Sequence, residues 1–392
     1  MNKFIPYSTQ EVTDDDKQAV ARVLSSDFLT QGPEVENFES DINKWCGSNY
    51  SLAVNSASSG LHLACVALKL GEGDYLWTSP NTFVASANAA LHCGAKIDFV
   101  DINKSSYNLC EQKLEEKLKA AAENKKLPKI VMPVHYSGQP CNMAKIYELS
   151  KIYNFKIIED ASHALGATYN KDKIGSCKFS DITVFSLHPV KIITSGEGGI
   201  ITTNCNELFT QLKLLRSNGI TRNKNQFLYS SHDDWFYEQH CLGYNYRMSD
   251  INAALGRSQL KRLKSIVDRR KFFAKRYNQK LKGLPIVLPF CNGKHTSSNH
   301  LYPIKLDSTQ LRKKIFYYLR SKNIGVNVHY IPVHWHPFYR KLGFSQGQYM
   351  NSEEFYGVTL SLSIYANFSI DAQDYVVNHI TKFFDNKLYE EG

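Results

Sequence analysis

A lysine in a glycine-rich turn is the first candidate for chemistry in this sequence. Residues 181–187 alternate apolar, β-branched and hydroxyl side chains, residues 200–203 resemble a second strand, and Lys191 lies between them, ahead of three glycines at 196–199. The alternation predicts two strands joined by a turn whose backbone can approach a bound group closely. Burial there would lower the pKa of the lysine amine, and an unprotonated amine can form a Schiff base with a carbonyl compound. Since most loop lysines are simply solvated, this hypothesis needs support from other stretches.

An aspartate about thirty residues earlier offers that support. Residues 155–158 predict a short strand, and Asp160 follows at its carboxyl end, where open α/β sheets bind their ligands. A carboxylate at that position could pair with the protonated ring nitrogen of a pyridine cofactor. A cap for the following segment is an equally good interpretation of Asp160 alone.

A candidate phosphate cradle lies near the start of the chain. A brief strand at 52–54 runs into small hydroxyl residues, including Ser58 and Ser59, and then into a helix with apolar residues at helical spacing. The free N–H groups and dipole of a helix start favour a phosphate. Capping by Ser56 or Ser58 is the alternative, and capping does not exclude a phosphate.

These patterns stand in an order that resembles one known family, the DegT/StrS-type PLP-dependent sugar aminotransferases. The matching stretches are N-S-A-S-S-G-L-H (55–62), S-P-N-T-F-V-A-S (79–86), E-D-A-S-H-A-L-G (159–166), F-S-L-H-P-V-K-I-I-T-S-G-E-G-G (185–199), G-Y-N-Y-R-M-S-D-I-N-A-A-L (243–255) and V-H-Y-I-P-V-H (328–334). The resemblance reaches from the N-terminus to about residue 340. It implies a fold type I aminotransferase that binds PLP covalently through Lys191 and acts as a homodimer with shared active sites.

The resemblance also implies roles for particular residues. It makes Lys191 the catalytic residue, and it assigns cofactor contacts to Asp160, Ser58, Ser59, Phe83, His163, Ser186 and Asn245. It assigns sugar-nucleotide contacts to Tyr7, Leu29, Thr30, Gln31, His329 and Tyr330, together with Ser58, Ser186 and Asn245. Asn245 is expected to reach the cofactor phosphate of the other subunit. By residue type alone, Phe83 would be a core aromatic at the start of a helix and His163 a capping or core histidine.

Within the family, residues 75–91 and S-L-H-P-V-K are similar to a narrower group. Those enzymes transfer an amino group from L-glutamate to the C4 ketone of a UDP-2-acetamido-2,6-dideoxy-4-keto-hexose of the L-arabino type, in pseudaminic acid biosynthesis. Bacillosamine-type or 4-amino-arabinose-type substrates remain alternatives. A related sugar dehydratase would carry histidine in place of Lys191, and a non-catalytic binding protein would have no reason to keep the whole constellation.

Composition excludes several other classes of protein. The formal net charge is +10, but the basic residues are dispersed, and the cluster at 261–275 has the spacing of a solvated helix face rather than a nucleic-acid site. The positive balance suits a nucleotide diphosphate sugar. The nine cysteines form no C-x-x-C pair, which favours free thiols in the cytoplasm. No apolar run approaches the ~18 residues of a membrane span.

A metal was considered at the three histidines His329, His334 and His336. Pro332 interrupts their spacing and no acidic residue is near in sequence, so we predict no metal site.

The elements predicted around these residues indicate an α/β fold. Strands are predicted at 52–54, 75–77, 97–100, 130–134, 155–158, 182–185 and 200–202, mostly with helices between them, which indicates a mixed, mostly parallel sheet. We expect a large PLP-binding domain at 1–255 and a smaller α+β domain at 256–392. A long helical stretch at 252–282 would join them, and the small domain would hold strands at 301–306 and 326–329 and a helix at 308–320.

Overall fold

The computed structural model describes residues 4–230, 233–289, 293 and 295–386. In chain order its helices are α1 (Asp14–Leu24), α2 (Pro33–Cys46), α3 (Ala57–Ala67), α4 (Ala85–His92), α5 (Glu111–Glu123), α6 (Met143–Tyr153), α7 (Asn206–Arg216), α8 (Asp250–Lys261), α9 (Leu263–Lys280), α10 (Thr309–Ser321), α11 (Pro337–Lys341), α12 (Met350–Val358) and α13 (Ile370–Asp385). Its strands are β1 (Tyr50–Val54), β2 (Tyr75–Thr78), β3 (Lys96–Phe99), β4 (Ile130–Met132), β5 (Lys156–Asp160), β6 (Thr168–Tyr169), β7 (Asp172–Lys173), β8 (Ile182–Ser186), β9 (Gly199–Thr203), β10 (Ile220–Thr221), β11 (Glu238–Gln239), β12 (Tyr302–Lys305) and β13 (Thr359–Leu362).

One seven-stranded sheet organises the large part of the molecule. Its order is β1-β9-β8-β5-β4-β2-β3, and β9 runs antiparallel to both of its neighbours while the remaining pairs are parallel. The seven predicted strands are these seven, with bounds that differ by one or two residues, so the predicted mixed, mostly parallel sheet is confirmed. The fold class α/β follows directly from this topology.

Side chains on the two faces of the sheet form two separate cores. In β8, Val184 packs into one core and Phe185 into the other, and Ile200 and Ile201 in β9 divide in the same way. This alternation is what a strand buried on both faces requires. Helices therefore cover both faces, and the edge formed by the carboxyl ends of the strands stays open.

The C-terminal part has its own core, and here one prediction was wrong. Residues 326–329 form no strand; Asn327 makes only an isolated bridge to Ser361 of β13, the strand that pairs with β12. The helical stretch predicted over 252–282 is confirmed as two successive helices, α8 and α9, which meet at Arg262. Ile5 packs into this C-terminal core, and a boundary after residue 255 falls inside α8; the division at 255/256 stays a prediction.

A carboxylate from the large sheet fixes the C-terminal part against it. Asp101, just after β3, accepts hydrogen bonds from the N–H groups of Asn351 and Ser352 at 3.0 Å each and from Lys113 Nζ at 2.8 Å. It thereby caps the first turn of α12 from another part of the fold. Burial opposes the charged form, but the Lys113 and backbone hydrogen bonds outweigh it and lower the pKa of Asp101.

The basic cluster at 261–275 is mainly the exposed face of α9, as predicted, with one exception. Arg270 is fully buried and donates to the carbonyl oxygens of His300 and Ile364 at 3.2 and 3.0 Å. Burial lowers its pKa to about 10.

Among the helices of the described ranges, none has the length and apolar character needed to cross a bilayer.

Candidate active site

A cavity of about 480 Å³ opens at the carboxyl edge of the sheet. Its lining includes nine of the residues predicted from sequence: Tyr7, Ser58, Phe83, Asp160, His163, Ser186, Lys191, His329 and Tyr330. Tyr7 comes from the segment before α1, the last two come from the C-terminal part, and the others end strands or follow them. The fold thus gathers residues that are more than three hundred positions apart in the chain.

Lys191 lies in the turn between β8 and β9. The turn is closed by backbone hydrogen bonds from Leu187 N–H to Gly198 O at 2.9 Å and from Ser195 N–H to Leu187 O at 3.0 Å. Lys191 is only partly exposed, and its open side is the cavity. Burial lowers the pKa of its amine to about 8, against the opposing attraction of the Asp160 carboxylate. Near neutral pH this amine is therefore unprotonated far more often than that of a solvated lysine, although the protonated form still predominates.

Asp160 ends β5 and is 4% exposed. Ser86 Oγ donates to one carboxylate oxygen at 2.6 Å, and Ser162 donates to the other from its hydroxyl at 2.6 Å and its N–H at 3.1 Å. The oxygen that accepts from Ser86 keeps an acceptor position for a group in the cavity, whereas the other oxygen already accepts two hydrogen bonds. The sequence analysis missed Ser86, although it stands only three residues after Phe83 in a stretch that was already singled out.

The start of α3 forms the predicted phosphate cradle. Ser56 caps the helix, accepting the Ser59 N–H at 3.1 Å, and the N–H groups of Ala57 and Ser58 have no acceptor in the described part of the chain. Two free N–H groups at a helix start that faces a cavity suit an anion. The Ser59 hydroxyl instead contacts Asn55 and Ser56 at 2.6 and 2.8 Å, so this side chain is not part of the cavity lining.

Phe83 is 60% exposed although it is a large apolar residue. It lies before α4, whose N-cap is Val84, so the expectation that Phe83 starts the helix was wrong. Its ring lies 6.5 Å from that of Tyr330, across the cavity mouth. An exposed aromatic face on a cavity is suited to stacking on a planar ligand.

Histidine and tyrosine side chains close the other side of the cavity. His163 Nε2 and Tyr330 Oη are 3.0 Å apart, and the buried Nδ1 of His163 has no hydrogen-bond partner among the described residues. Burial, with a smaller repulsion from Lys191, lowers the pKa of His163 well below its ordinary value and that of His329 to about 3. Both rings are therefore neutral at physiological pH, and Tyr7 packs against His329 with ring centroids 5.4 Å apart.

Besides Ser59, four predicted residues do not line this cavity within one chain. Leu29, Thr30 and Gln31 lie beside the start of α8, where Leu29 O accepts the Asp250 N–H at 3.0 Å and Thr30 bridges Ser249. Asn245 is exposed and is joined to Ser217 by an isolated bridge. Their predicted contacts remain predictions.

Two of the three histidines in the metal hypothesis, His329 and His334, lie in different surroundings. His334 Nε2 lies 2.9 Å from Glu353 Oε1, so an acidic partner is present in space although none is near in sequence. His329 faces the cavity instead. Among the described residues no group of three or more histidine, cysteine or acidic side chains has metal-binding geometry.

The residues of the cavity fit PLP. Free N–H groups at the start of α3 suit its phosphate, the Asp160 carboxylate suits a protonated ring nitrogen, Phe83 suits its ring, and the Lys191 amine suits its aldehyde. The buried Nδ1 of His163 has no hydrogen-bond partner among the described residues, so it is one further polar atom of the cavity wall that a ligand could contact. These groups point to the chemistry of an aminotransferase.

Comparison with known proteins identifies the aminotransferase family to which the chain belongs. The sequence profile of the DegT/DnrJ/EryC1/StrS aminotransferase family matches residues 10–381. The chain therefore belongs to that family, whose members are PLP-dependent sugar aminotransferases.

Known sugar aminotransferases are similar to this chain in sequence and in structure. The chain is 37% identical over 376 residues to the UDP-4-amino-4,6-dideoxy-N-acetyl-beta-L-altrosamine transaminase of Campylobacter jejuni subsp. jejuni serotype O:2, covering 95% of this chain and 96% of that protein. PseC of Helicobacter pylori, an aminotransferase of pseudaminic acid biosynthesis, superimposes with a TM-score of 0.89 at 31% identity, covering 98% and 100% of the two chains. The PLP form of the sugar aminotransferase Spr1654 from Streptococcus pneumoniae gives a TM-score of 0.88 at 27% identity, covering 98% and 99%.

Proposed function

We propose that this chain transfers the amino group of L-glutamate to the C4 ketone of a UDP-2-acetamido-2,6-dideoxy-4-keto-hexose of the L-arabino type. The product is UDP-4-amino-4,6-dideoxy-N-acetyl-β-L-altrosamine, a precursor of pseudaminic acid. The observation that carries the chemistry is an amine of lowered pKa, Lys191, facing the Asp160 carboxylate in one cavity. The choice of sugar rests on the relatives.

Each residue has a role that follows from its position. PLP, when bound, would supply an electron sink for the negative charge that develops on the reacting carbon. Lys191 would hold PLP covalently, and its amine, when free, would take the proton from the carbon that bears the nitrogen and later return it. A pKa of about 8 suits an amine that must both accept and donate a proton near neutral pH. One lysine then serves both halves of a ping-pong reaction.

The neighbours of Asp160 keep its charge in place. Ser86 and Ser162 donate hydrogen bonds to the two carboxylate oxygens and so fix the orientation of the group that would contact the ring nitrogen of PLP. The neutral His163 and Tyr330 line the side where a neutral sugar ring would lie. We also propose a homodimer in which Asn245 of each subunit completes the other subunit's site.

Other keto sugars are the main alternatives. The groups around Lys191 and Asp160 would act on the amine and the carbonyl, and they do not distinguish one sugar stereoisomer from another. Bacillosamine-type and 4-amino-arabinose-type substrates would therefore react by the same chemistry. A dehydratase would require loss of Lys191, which is present. A non-catalytic scaffold would not need a lysine of lowered pKa in a cavity.

Absorption spectroscopy tests the proposal. Wild-type protein with PLP should show the visible band of a lysine-bound cofactor, L-glutamate should bleach it, and Lys191→Ala should show no such band. UDP-4-keto sugars are then ranked by the rate at which each restores the band, and the L-arabino sugar should be fastest. Absence of the band in wild type contradicts the enzymatic function. A band that returns faster with another sugar refutes only the substrate.

A further inference from the structure

The N-terminal segment of the chain lies beside the turn that carries Lys191. Residues 4–9 precede α1, and Tyr7 of this segment lines the cavity. The next residue, Ser8, is 6% exposed, and its hydroxyl donates a hydrogen bond to the carbonyl oxygen of Val190 at 3.2 Å. The bond joins residues that are 182 positions apart. The segment that supplies one residue of the cavity therefore also contacts the residue before the lysine.

This hydrogen bond falls on the peptide group that leads into Lys191. The carbonyl of Val190 and the N–H of Lys191 belong to one planar unit. Its N–H donates to His188 O at 2.9 Å, and its carbonyl oxygen accepts from the Ser8 hydroxyl. The first bond lies within the turn, and the second comes from outside it. Because the two bonds act on opposite edges of the plane, they fix its rotation and so the direction in which the lysine side chain leaves the backbone.

The segment itself is anchored, so it can serve as a support. Ile5 N–H donates to Asn323 O at 2.9 Å, and Ile5 O accepts the Gly325 N–H at 2.6 Å. Tyr7 O accepts the Ile364 N–H at 3.0 Å. These backbone bonds tie the residues before the serine to the C-terminal part of the molecule. A hydroxyl on a backbone that is already fixed loses little further freedom when it forms a hydrogen bond.

We propose that Ser8 is a positioning residue for Lys191, which holds the peptide before the lysine so that the amine is directed at the carbonyl with which it reacts. Ser8 does not line the cavity, so it acts through the peptide and contacts neither PLP nor sugar. The inference rests on the proposed function, since it concerns the lysine that would hold PLP. Reaction of an amine with an aldehyde depends on their relative orientation. Binding of the phosphate and ring depends on other groups.

The capture of PLP by the full-length apoprotein tests this role. Ser8→Ala removes only the hydroxyl, and at saturating PLP the rate of covalent capture, followed by stopped-flow absorbance, should fall about two- to tenfold. Pyridoxine 5′-phosphate has the ring and the phosphate but no aldehyde, and its affinity should stay at the wild-type value. Retained affinity also shows that the variant is folded. The pH midpoint of capture should not move, because the amine stays buried.

Ser150→Ala is the matched control. Ser150 is 7% exposed and donates to Tyr147 O at 2.7 Å in α6, outside the cavity, so its loss should leave capture unchanged. Capture at the wild-type rate in Ser8→Ala overturns the inference. An equal loss of affinity for pyridoxine 5′-phosphate, or a shifted pH midpoint with the same maximal rate, also overturns it. Failure of wild-type protein to capture PLP contradicts the proposed function instead.

Discussion

At the residue scale, the chemistry depends on opposing influences on one amine. Burial favours the neutral form of Lys191, and the Asp160 carboxylate favours the charged form; burial is the larger of the two, so the pKa falls to about 8. Asp160 is itself held by Ser86 and Ser162. The reactivity of the lysine is therefore coupled to the position of the aspartate.

This coupling predicts how cofactor capture depends on pH. Only the neutral amine attacks the PLP aldehyde, so the capture rate of the apoprotein should rise with pH through a midpoint of about 8, not near ~10.4 as for a solvated lysine. Asp160→Asn removes the attraction that raises the pKa, so its midpoint should be lower still. Stopped-flow absorbance of bound PLP at a series of pH values measures both.

The matched control for this prediction is Lys178→Gln. Lys178 is exposed and pairs with Asp172 at 2.7 Å, so its removal should leave the midpoint unchanged. A wild-type midpoint above about 10 would show that Lys191 is solvated and would contradict the prediction.

At the element scale, the cradle depends on how closely β9 approaches α3. A Cβ on Gly199 would lie 2.7 Å from the Ala57 nitrogen and from the Ser56 carbonyl atoms, and one on Gly60 would lie 3.0 Å from Val184 Cγ1. The helix start can reach the sheet edge only because these positions carry no side chain. The glycines after Lys191 therefore serve the phosphate end of the site as well as the turn.

A methyl group at Gly199 should disturb the cradle. Gly199→Ala forces β9 and the start of α3 apart, and we expect a loss of about 1–3 kcal/mol in the free energy of unfolding, together with weaker PLP binding. Urea unfolding and PLP titration measure the two effects. Gly71→Ala is the control, since nothing lies within 4 Å of its Cβ, and it should change stability by less than about 0.5 kcal/mol. Unaltered PLP affinity in Gly199→Ala would contradict the prediction.

At the scale of the whole molecule, one residue predicted to contact the cofactor lies outside the cavity of its own chain. Asn245 is exposed and lies outside the cavity lining. Large apolar side chains of the segment before it are also exposed: Leu228, Tyr229, Trp235 and Leu242. Apolar surface of this kind is typical of an interface between subunits, and it supports the proposed dimer with shared sites.

Sharing of sites predicts complementation between two inactive variants. Lys191→Ala lacks the amine and Asn245→Ala lacks the phosphate contact to the other subunit, so each homodimer should have little activity. When the two are refolded together in equal amounts, half of the dimers are mixed and one of the two sites in each is intact, so about a quarter of wild-type activity should return. Activity assays after size-exclusion chromatography measure this. Recovery of no activity in a confirmed mixed dimer would show that each site belongs to one chain.

The sequence by itself determined the strands, the edge at which they end and many of the residues that gather there. Period-two alternation is a local property, so all seven strands of the sheet could be predicted. Lys191, Asp160 and Ser58 follow strands or begin helices, and parallel strands bring their carboxyl ends to one edge. The family motifs extended this to Tyr7, His329 and Tyr330, which no local pattern could have placed in the cavity.

Only the tertiary structure decided which distant groups meet. Ser86 reaches Asp160 across 74 residues, and Asp101 caps α12 across 250. The strand predicted at 326–329 is reduced to one bridge between Asn327 and Ser361 of β13, the strand that also pairs with β12. Such contacts depend on the packing of whole elements, and the energy of a hydrogen bond leaves no periodic trace in the chain.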